Sequence, residues 1–474
     1  MLPTNHAGAV PEDLDSPRIR IARVAGTLVF VLLLVLTVFT AIPYGTAEVW
    51  WKAFFICAVF SLAILWSIDG FLSNAWMTNG RSIILPIAAL VVFSFLQTIS
   101  LGKLQLPSIA SPASRTVSLD SYETRFFALQ LSAIGLFGIF LFRYLTTVRR
   151  LRLVIHLVIA IAVASAIFGI VRQTTQHDTG FVLPLLHLEQ GYGQFINRNH
   201  FAFLMEMALG LILGLILGGG VRREQVLAYF AMLLPIWTAL VLSGSRGGLI
   251  AMLAEILVAA FLLSGLLQNR EVGESQSRIL DLLRSRSVRI GLFLVLVFGV
   301  VFGTLYLGGE HLASRIEATS ADFSAAPSEL RQGVSRNEIW TLTYKIIAAH
   351  PVLGVGMGAY WVAVPEFHDA AGTFAPQEAH SDYLELLASG GLVGIAIGIW
   401  FLTAVGKKIK TNLRSHHRVR RAACLGATIG IASVAVHSIV DFGLHMIVNA
   451  LVFTTLIVIA TSEQPWHTDA IRES

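Results

Sequence analysis

The sequence predicts an all-α, polytopic membrane protein, and both its composition and its apolar runs support this prediction. Of the 474 residues, 55% are hydrophobic and only 13% are charged, whereas about 25% of an ordinary soluble domain is charged. Apolar runs of about 20 residues, the length that crosses a bilayer as a helix, recur along the whole chain. The composition therefore excludes a soluble globular protein.

About twelve apolar runs are long and continuous enough to be membrane-spanning helices. About 20 polar residues precede the first run and no small-residue cleavage site follows it, so we expect a retained helix and not a removed signal peptide. The predicted spans cover residues 22–42, 49–68, 82–99, 126–145, 151–171, 200–218, 225–242, 247–266, 288–307, 388–405, 421–438 and 445–461.

These runs divide the chain into five parts, one of which is a loop of roughly 80 residues. Long structured loops usually carry function. We expect the large loop between the ninth and tenth spans to be partly helical. The expected parts are a tail over 1–21, nine spans within 22–307, the large loop over 308–387, three spans within 388–461 and a tail over 462–474.

The positions of the basic residues predict which side each loop faces. If the N-terminus is cytoplasmic, 23 of the 34 Lys and Arg residues fall on the cytoplasmic side, with a dense cluster in the short loop 407–421. Short basic loops stay in the cytoplasm, so we expect both termini there. The net charge of +5 then reflects topology, and we expect no nucleic-acid partner.

The basic residues that remain on the outward side are mostly arginines. Snorkelling at the membrane surface would explain some of them. Arginines on the outward side run against the preference of basic residues for the cytoplasm, so another role is expected. A guanidinium group can bind two phosphate oxygens at once, which makes phosphate a suitable ligand. The outward arginines chosen as candidate phosphate-binding residues are Arg172, Arg198, Arg246 and Arg336.

Two short turns have the composition of an anion site. Ser243–Gly248 combines accessible backbone N–H groups with Arg246, and the start of the sixth span places Asn199 beside Arg198. A tight helical turn would explain the glycines equally well. Deeper in the spans, Glu206, His437 and Asp441 are functional candidates as ionisable groups in a membrane, although His437 and Asp441 could simply pair with each other or cap helices.

The large loop contains two helix starts. Ser335–Glu338 has the spacing of a capping box, which predicts a helix that carries Arg336 and Trp340 and stops at His350–Pro351. The alternative for Arg336 is that it solvates a helix end.

Further on, Ser381 or Asp382 can cap the tenth span and leave His380 beside the positive end of that helix. A neutral imidazole there could act as a general base, and the alternative is a capping or interfacial histidine.

The motifs that the chain lacks also narrow its chemistry. Both cysteines, Cys57 and Cys424, lie in apolar runs, so we expect neither a disulfide framework nor a cysteine metal cluster. There is no GxxxxGK[ST] loop and no HExxH motif. We therefore expect no cofactor and no metal, and expect arginine to neutralise any bound phosphate.

The loop motifs resemble the O-antigen ligase and polymerase superfamily of bacterial inner-membrane glycosyltransferases. Its ligase pattern is matched by His380, Ser381, Gly391 and Gly394, and the turn ending in Arg246 and the segment around His350–Gly356 also look like family signatures. These motifs cover about 150 residues in the family's order. The twelve-span layout with a large outer loop is similar to the family's layout over the whole chain.

One position departs from the ligases, which carry leucine four residues after the loop arginine. Here Trp340 follows Arg336 at that spacing, and the segments 380–385 and 437–442 look more like polymerase-type members.

The resemblance implies that the donor is a glycan on polyprenyl diphosphate and that the protein is surrounded by membrane lipid. It also implies transfer on the periplasmic side to a growing glycan or lipid A core. It implies that Arg246 and Arg336 hold the diphosphate and that His380 deprotonates the acceptor, with Arg172, Arg198, Asn199, Trp340 and Asp382 around the substrate. A flippase for the same lipid and a protein O-oligosaccharyltransferase are the alternatives.

Overall fold

The computed structural model describes residues 17–74, 76, 79–100, 116–176, 186, 191–268, 336–368 and 376–462. Within this part of the chain the regular structure is helical, as the sequence predicts. The helices are α1 (Pro17–Ala41), α2 (Val49–Ser73), α3 (Arg81–Gln97), α4 (Ser121–Tyr144), α5 (Val148–Thr175), α6 (Arg198–Leu217), α7 (Val226–Ser243), α8 (Arg246–Gln268), α9 (Arg336–Ala349), α10 (Tyr360–Phe367), α11 (Asp382–Asn412), α12 (Arg418–His437) and α13 (Ile447–Thr461).

The predicted spans correspond to helices wherever the chain is described. Nine helices of the described ranges are long and apolar enough to cross a membrane, and α3 and α13 are shorter apolar helices. The predicted span 288–307 and the parts 308–335 and 369–375 of the predicted loop 308–387 lie outside the described residues. These helices confirm an all-α, multi-pass architecture, whereas the proposed domain boundaries stay predictions.

The helix ends make two separate groups of polar contacts. At one end, the Tyr144 hydroxyl donates to the Asp69 carboxylate at 2.8 Å, and Arg420 donates to the Asn412 side chain at 2.7 Å. At the other end, the Gln97 side chain at the end of α3 donates to the Leu353 carbonyl at 2.7 Å and to the Ser389 carbonyl of α11 at 3.0 Å. The candidate site residues at the starts of α6, α8, α9 and α11 belong to this second end.

Helices α6 and α12 pack with their backbones in contact, because glycines line both faces. A Cβ atom added to Gly214 would lie 2.0 Å from the Gly426 nitrogen, and one added to Gly210 would lie 2.5 Å from the Gly430 nitrogen. Small residues four positions apart permit this close approach between membrane helices. The interface joins the helix that carries Asn199 to the helix that leads into Asp441.

Gly214→Ala should therefore destabilise the fold by about 1–3 kcal/mol, since the added methyl group meets backbone atoms that cannot rotate away. Thermal unfolding of the purified protein in detergent would measure the change as a lower melting temperature. Gly406→Ala is the matched control, because a Cβ there has nothing within 4 Å. Equal melting temperatures for the two variants would contradict this packing argument.

Helix α11 contains a break that explains the first glycine of the family pattern. Gly391 has φ 60° and ψ −158°, and a Cβ there would lie 2.3 Å from the Val352 carbonyl oxygen. Leu392 donates to the Pro351 carbonyl at 2.9 Å, and Val393 donates to that of Val352 at 3.2 Å. The loop after α9 thus docks into the break and separates the first turns of α11 from its remainder.

Two predicted helix boundaries are confirmed. Helix α9 ends just before His350–Pro351, as predicted; its first described residue is Arg336, and Ser335 of the proposed capping box lies outside the described residues. Ser381 is the N-cap of α11, and its side chain accepts a hydrogen bond from the Leu384 N–H. This cap fixes the position of His380 immediately before the helix.

Candidate active site

The buried carboxylate of Asp441 joins three segments of the chain. Its Oδ2 accepts hydrogen bonds from Arg336 Nη2 at 3.0 Å and from Asn199 Nδ2 at 2.5 Å. Its Oδ1 accepts the Phe442 N–H at 2.9 Å and lies 3.7 Å from His200 Nε2. The starts of α6 and α9 therefore meet at the turn that follows α12.

This arrangement orients Arg336 without covering it. The Arg336 side chain is 44% exposed, whereas the Asp441 side chain is fully buried. A guanidinium group has five N–H donors, so the bond to Asp441 leaves others to bind an anion. Asp441 thereby holds a cationic group at the surface of the site.

His380 lies on the other side of the same turn, in an unusual backbone conformation. Its φ of 50° is in the left-handed region, which few non-glycine residues adopt and which is often found at functional sites. Its ring meets the edge of Phe442, with centroids 4.9 Å apart. Among the described residues, the buried Nδ1 has no hydrogen-bond partner.

The electrostatic surroundings favour a neutral His380. Burial lowers the pKa of the imidazole, the nearby Arg336 guanidinium lowers it further, and the Asp441 carboxylate opposes both effects. Because the pKa falls below the ordinary value of 6.5, the ring is largely unprotonated at neutral pH. A neutral imidazole can accept a proton, as a general base must.

Phe442 contacts three histidine rings. The distances from its centroid are 4.8 Å to His200, 4.9 Å to His380 and 5.5 Å to His445. Asp441, which precedes this phenylalanine in the chain, accepts the hydrogen bond from Arg336. The turn thus brings His200, His380 and His445 around one aromatic ring.

His445 lies among three carboxylates, and we call these four residues the His445 cluster. Its Nδ1 is 3.4 Å from Glu378 Oε2, and its Nε2 is 3.5 Å from Glu385 Oε1 and 3.8 Å from Asp382 Oδ1. Burial would lower the pKa of His445, but Glu385 and Glu378 outweigh burial and raise it to about 10. The two glutamates thus attract positive charge to this position.

Three members of the His445 cluster are close enough to share one metal ion. Ligand atoms of Glu378, Glu385 and His445 lie within 4.8 Å of one another. The sequence predicts no metal, because these residues are dispersed along the chain and form no familiar motif. Carboxylate oxygens and an imidazole nitrogen are nevertheless ordinary ligands for divalent cations.

The His445 cluster forms the polar end of a cavity of about 680 Å³ between α3, α4, α11 and α13. Lys52 lies at the same end. The walls are mostly apolar, as expected of a groove for a hydrocarbon chain. Representative wall residues are Ile83, Ile87, Phe126, Ile134 and Phe453.

The other predicted site residues have different surroundings. Arg198 and Arg246 are the first residues of α6 and α8, both half-buried. Trp340 is half-buried on α9, one turn beyond Arg336. Arg172 is almost fully buried, and it donates to the Gln176 side chain at 2.6 Å and to a backbone carbonyl at 2.9 Å. The second contact ties the end of α5 to the loop at Gly193.

The suggested pairing of His437 with Asp441 is wrong. His437 Nδ1 instead hydrogen bonds to Glu206 within the bundle, and both side chains are fully buried. A Cβ on Gly247 would lie 2.4 Å from His437 Nε2, so the ring packs directly beside the start of α8. The pair thus supports the helix end that carries Arg246, while Asp441 binds Arg336.

Four residues of the site were not predicted from the sequence: His200, Glu378, Glu385 and His445. One available signal is spacing, since His445 follows Asp441 by four positions and Glu385 follows His380 by five. Polar residues at such spacings beside apolar spans indicate a shared polar end. Asp382, which was included, bonds to the Ser438 carbonyl through its N–H at 3.1 Å and turns its carboxylate toward His445.

Comparison with known proteins agrees with the motif resemblance. No curated protein matches the chain. A family model described as O-Antigen ligase matches residues 230–399, a range that contains Arg246, Arg336 and His380. This match confirms the predicted resemblance to the O-antigen ligase and polymerase superfamily over this part of the chain.

Proposed function

We propose that the protein is a glycosyltransferase that moves an oligo- or polysaccharide from a polyprenyl-diphosphate donor to an acceptor hydroxyl. The family match supports glycan transfer in general terms. The observation that carries the finer proposal is the turn at Asp441 and Phe442, which holds Arg336 and His380 on the same small surface. A cationic group and a neutral base are the two groups that this transfer requires.

Arg336 would bind the donor diphosphate and stabilise the charge that develops on it. Arg246, Arg198 and Asn199 support this role, because the starts of α6 and α8 lie at the same end of the bundle. Helix starts carry partial positive charge and attract phosphate. Stabilisation of developing charge by fixed donors is usually the largest contribution to catalysis.

His380 would remove the proton from the acceptor hydroxyl as its oxygen attacks the anomeric carbon. The new C–O bond forms while the bond from that carbon to the diphosphate oxygen breaks, and the diphosphate leaves with the electron pair. A single displacement inverts the anomeric configuration. The activated donor supplies the free energy, so the step requires no nucleotide, and arginine makes the displacement independent of a metal.

The proposed location is the bacterial inner membrane, with both termini in the cytoplasm and the site on the periplasmic side. The distribution of the basic residues supports this orientation. The acceptor would be a growing glycan or lipid A core. In a strain that lacks the protein, single repeat units, uncapped core and unglycosylated protein would identify a polymerase, a ligase and a protein transferase respectively.

The direct test is a transfer assay with purified protein, lipid-linked oligosaccharide and acceptor. The proposal expects an elongated glycan, released polyprenyl diphosphate and an inverted linkage by NMR. Translocation of the lipid across proteoliposomes without any glycosidic product would instead indicate a flippase. The observation that favours this rival is the burial of Glu206 and Glu255 within α6 and α8, since transporters use such intramembrane charges.

Asp441→Asn should lower turnover by about tenfold, because a displacement of about 1 Å in a positioned group already costs up to 10²-fold. The variant keeps the shape of the side chain but weakens its attraction for Arg336. Initial rates at saturating donor would measure the loss, with Asp69→Asn at the opposite end of the bundle as the control. Equal losses in both variants would indicate a general effect on folding.

A further inference from the structure

We propose that the His445 cluster is a binding site for one divalent cation of the Mn²⁺ type. Glu378, Glu385 and His445 come from three different segments, the loop before α11, α11 itself and the turn before α13. Their ligand atoms nevertheless lie within 4.8 Å of one another. Asp382 lies beside these three ligands, with Oδ1 at 3.8 Å from His445 Nε2.

The polar atoms of the cluster are not all satisfied by the protein. Asp382 Oδ2 is buried and has no hydrogen-bond partner among the described residues. Glu385 is 10% exposed at its side chain and uses Oε2 to accept the Ala379 N–H, which leaves Oε1 facing His445. A buried carboxylate oxygen without a donor is costly, and a cation coordinated by the cluster would offset that cost for Asp382.

The ligand set and its access also suit a cation. Carboxylates favour Mg²⁺ and Mn²⁺, and an imidazole nitrogen shifts the preference from Mg²⁺ toward Mn²⁺ or Zn²⁺. The cluster lines the 680 Å³ cavity, so an ion has a path to it. Three carboxylates face one imidazole and Lys52 there, and a bound cation offsets the excess negative charge.

The cation would change what the cavity accepts. Its apolar walls suit a hydrocarbon chain, but the carboxylates at its polar end repel an anionic headgroup. A divalent ion at the cluster would attract that headgroup instead. This role rests on the proposed function and adds to donor binding by Arg336, which lies on the Asp441 side of Phe442 and also stabilises the leaving group. The existence of the site does not depend on the transfer reaction.

The test is Mn²⁺ binding to the full-length protein in nanodiscs of zwitterionic lipid, measured by isothermal titration and by electron spin-echo spectroscopy. We expect one Mn²⁺ per chain with a nitrogen coupling from an imidazole. Glu385→Gln and His445→Gln should each weaken binding at least about tenfold, and His445→Gln should remove the nitrogen coupling. Glu366→Gln, an exposed acidic residue of α10, is the control and should bind Mn²⁺ like the wild type.

Failure to bind Mn²⁺, or binding that neither cluster variant weakens, would overturn the site. Melting temperatures of the variants identify any that fail to fold, and the nitrogen coupling in the wild type is informative without any variant. Transfer in EDTA separates this proposal from the proposed function. An increased donor KM with unchanged kcat supports both, whereas loss of kcat at saturating donor would overturn the metal-independent displacement and leave the cation site standing.

Discussion

His380→Ala should lower glycan transfer at least about 10²-fold, because a positioned general base typically contributes 10²–10⁴-fold. The structure gives two reasons to expect a large effect. His380 is the residue that Ser381 holds just before α11, and its pKa is lowered by burial and by Arg336. Single-turnover rates with lipid-linked oligosaccharide would measure the loss, which should appear in kcat more than in donor KM.

His416→Ala is the matched control for this prediction, since His416 is an exposed histidine in the loop between α11 and α12 at the opposite end of the bundle. It should transfer glycan at the wild-type rate. A folded His380→Ala protein with near wild-type turnover would remove His380 from the role of base. The His445 cluster would then be the next place to look for a proton acceptor.

Arg336→Ala should lower turnover by about 10²–10³-fold, the usual cost of losing one fixed donor to a developing negative charge. Arg336→Lys should recover only part of this loss. A lysine ammonium keeps the charge but cannot bind Asp441 and a phosphate oxygen with one planar group. Rates at saturating donor, together with the affinity for polyprenyl diphosphate as product, would show both effects.

Lys345→Ala is the control for Arg336, because Lys345 is an exposed cation on the same helix, α9. Removing it tests whether any positive charge on this helix assists donor binding. Full recovery by Arg336→Lys would contradict paired binding of phosphate oxygens. An equal effect of Lys345→Ala would reduce Arg336 to a general electrostatic contribution.

The membrane helices could be predicted from the sequence because the bilayer imposes the same length and apolar character on each of them. The predicted run 151–171 lies within α5, for example, and the run 200–218 nearly coincides with α6. The apolar run alone misplaces the start of α11, whereas the capping residue Ser381 predicts it correctly. The apolar run begins near 388, whereas the helix begins at Asp382, because its first turns carry the polar residues of the site.

The site was predicted only where a local motif marks it. His380 and Arg336 each lie at a helix start, and capping spacings reveal such positions. The partners of Asp441 could not be predicted in this way, since Arg336 precedes it by 105 residues and Asn199 by 242. Only the packing of α6 and α9 against the turn after α12 brings them together. The His445 cluster has the same origin.

The glycine contacts between α6 and α12 bear on how the protein responds to its lipid surroundings. Membranes of different thickness tilt individual helices, and a site assembled from independently tilting helices would lose its geometry. With their backbones in contact, α6 and α12 tilt together, and Asn199 keeps its distance from Asp441. Transfer rates should therefore vary little between short-chain and long-chain lipid bilayers, while Gly214→Ala should make them dependent on chain length.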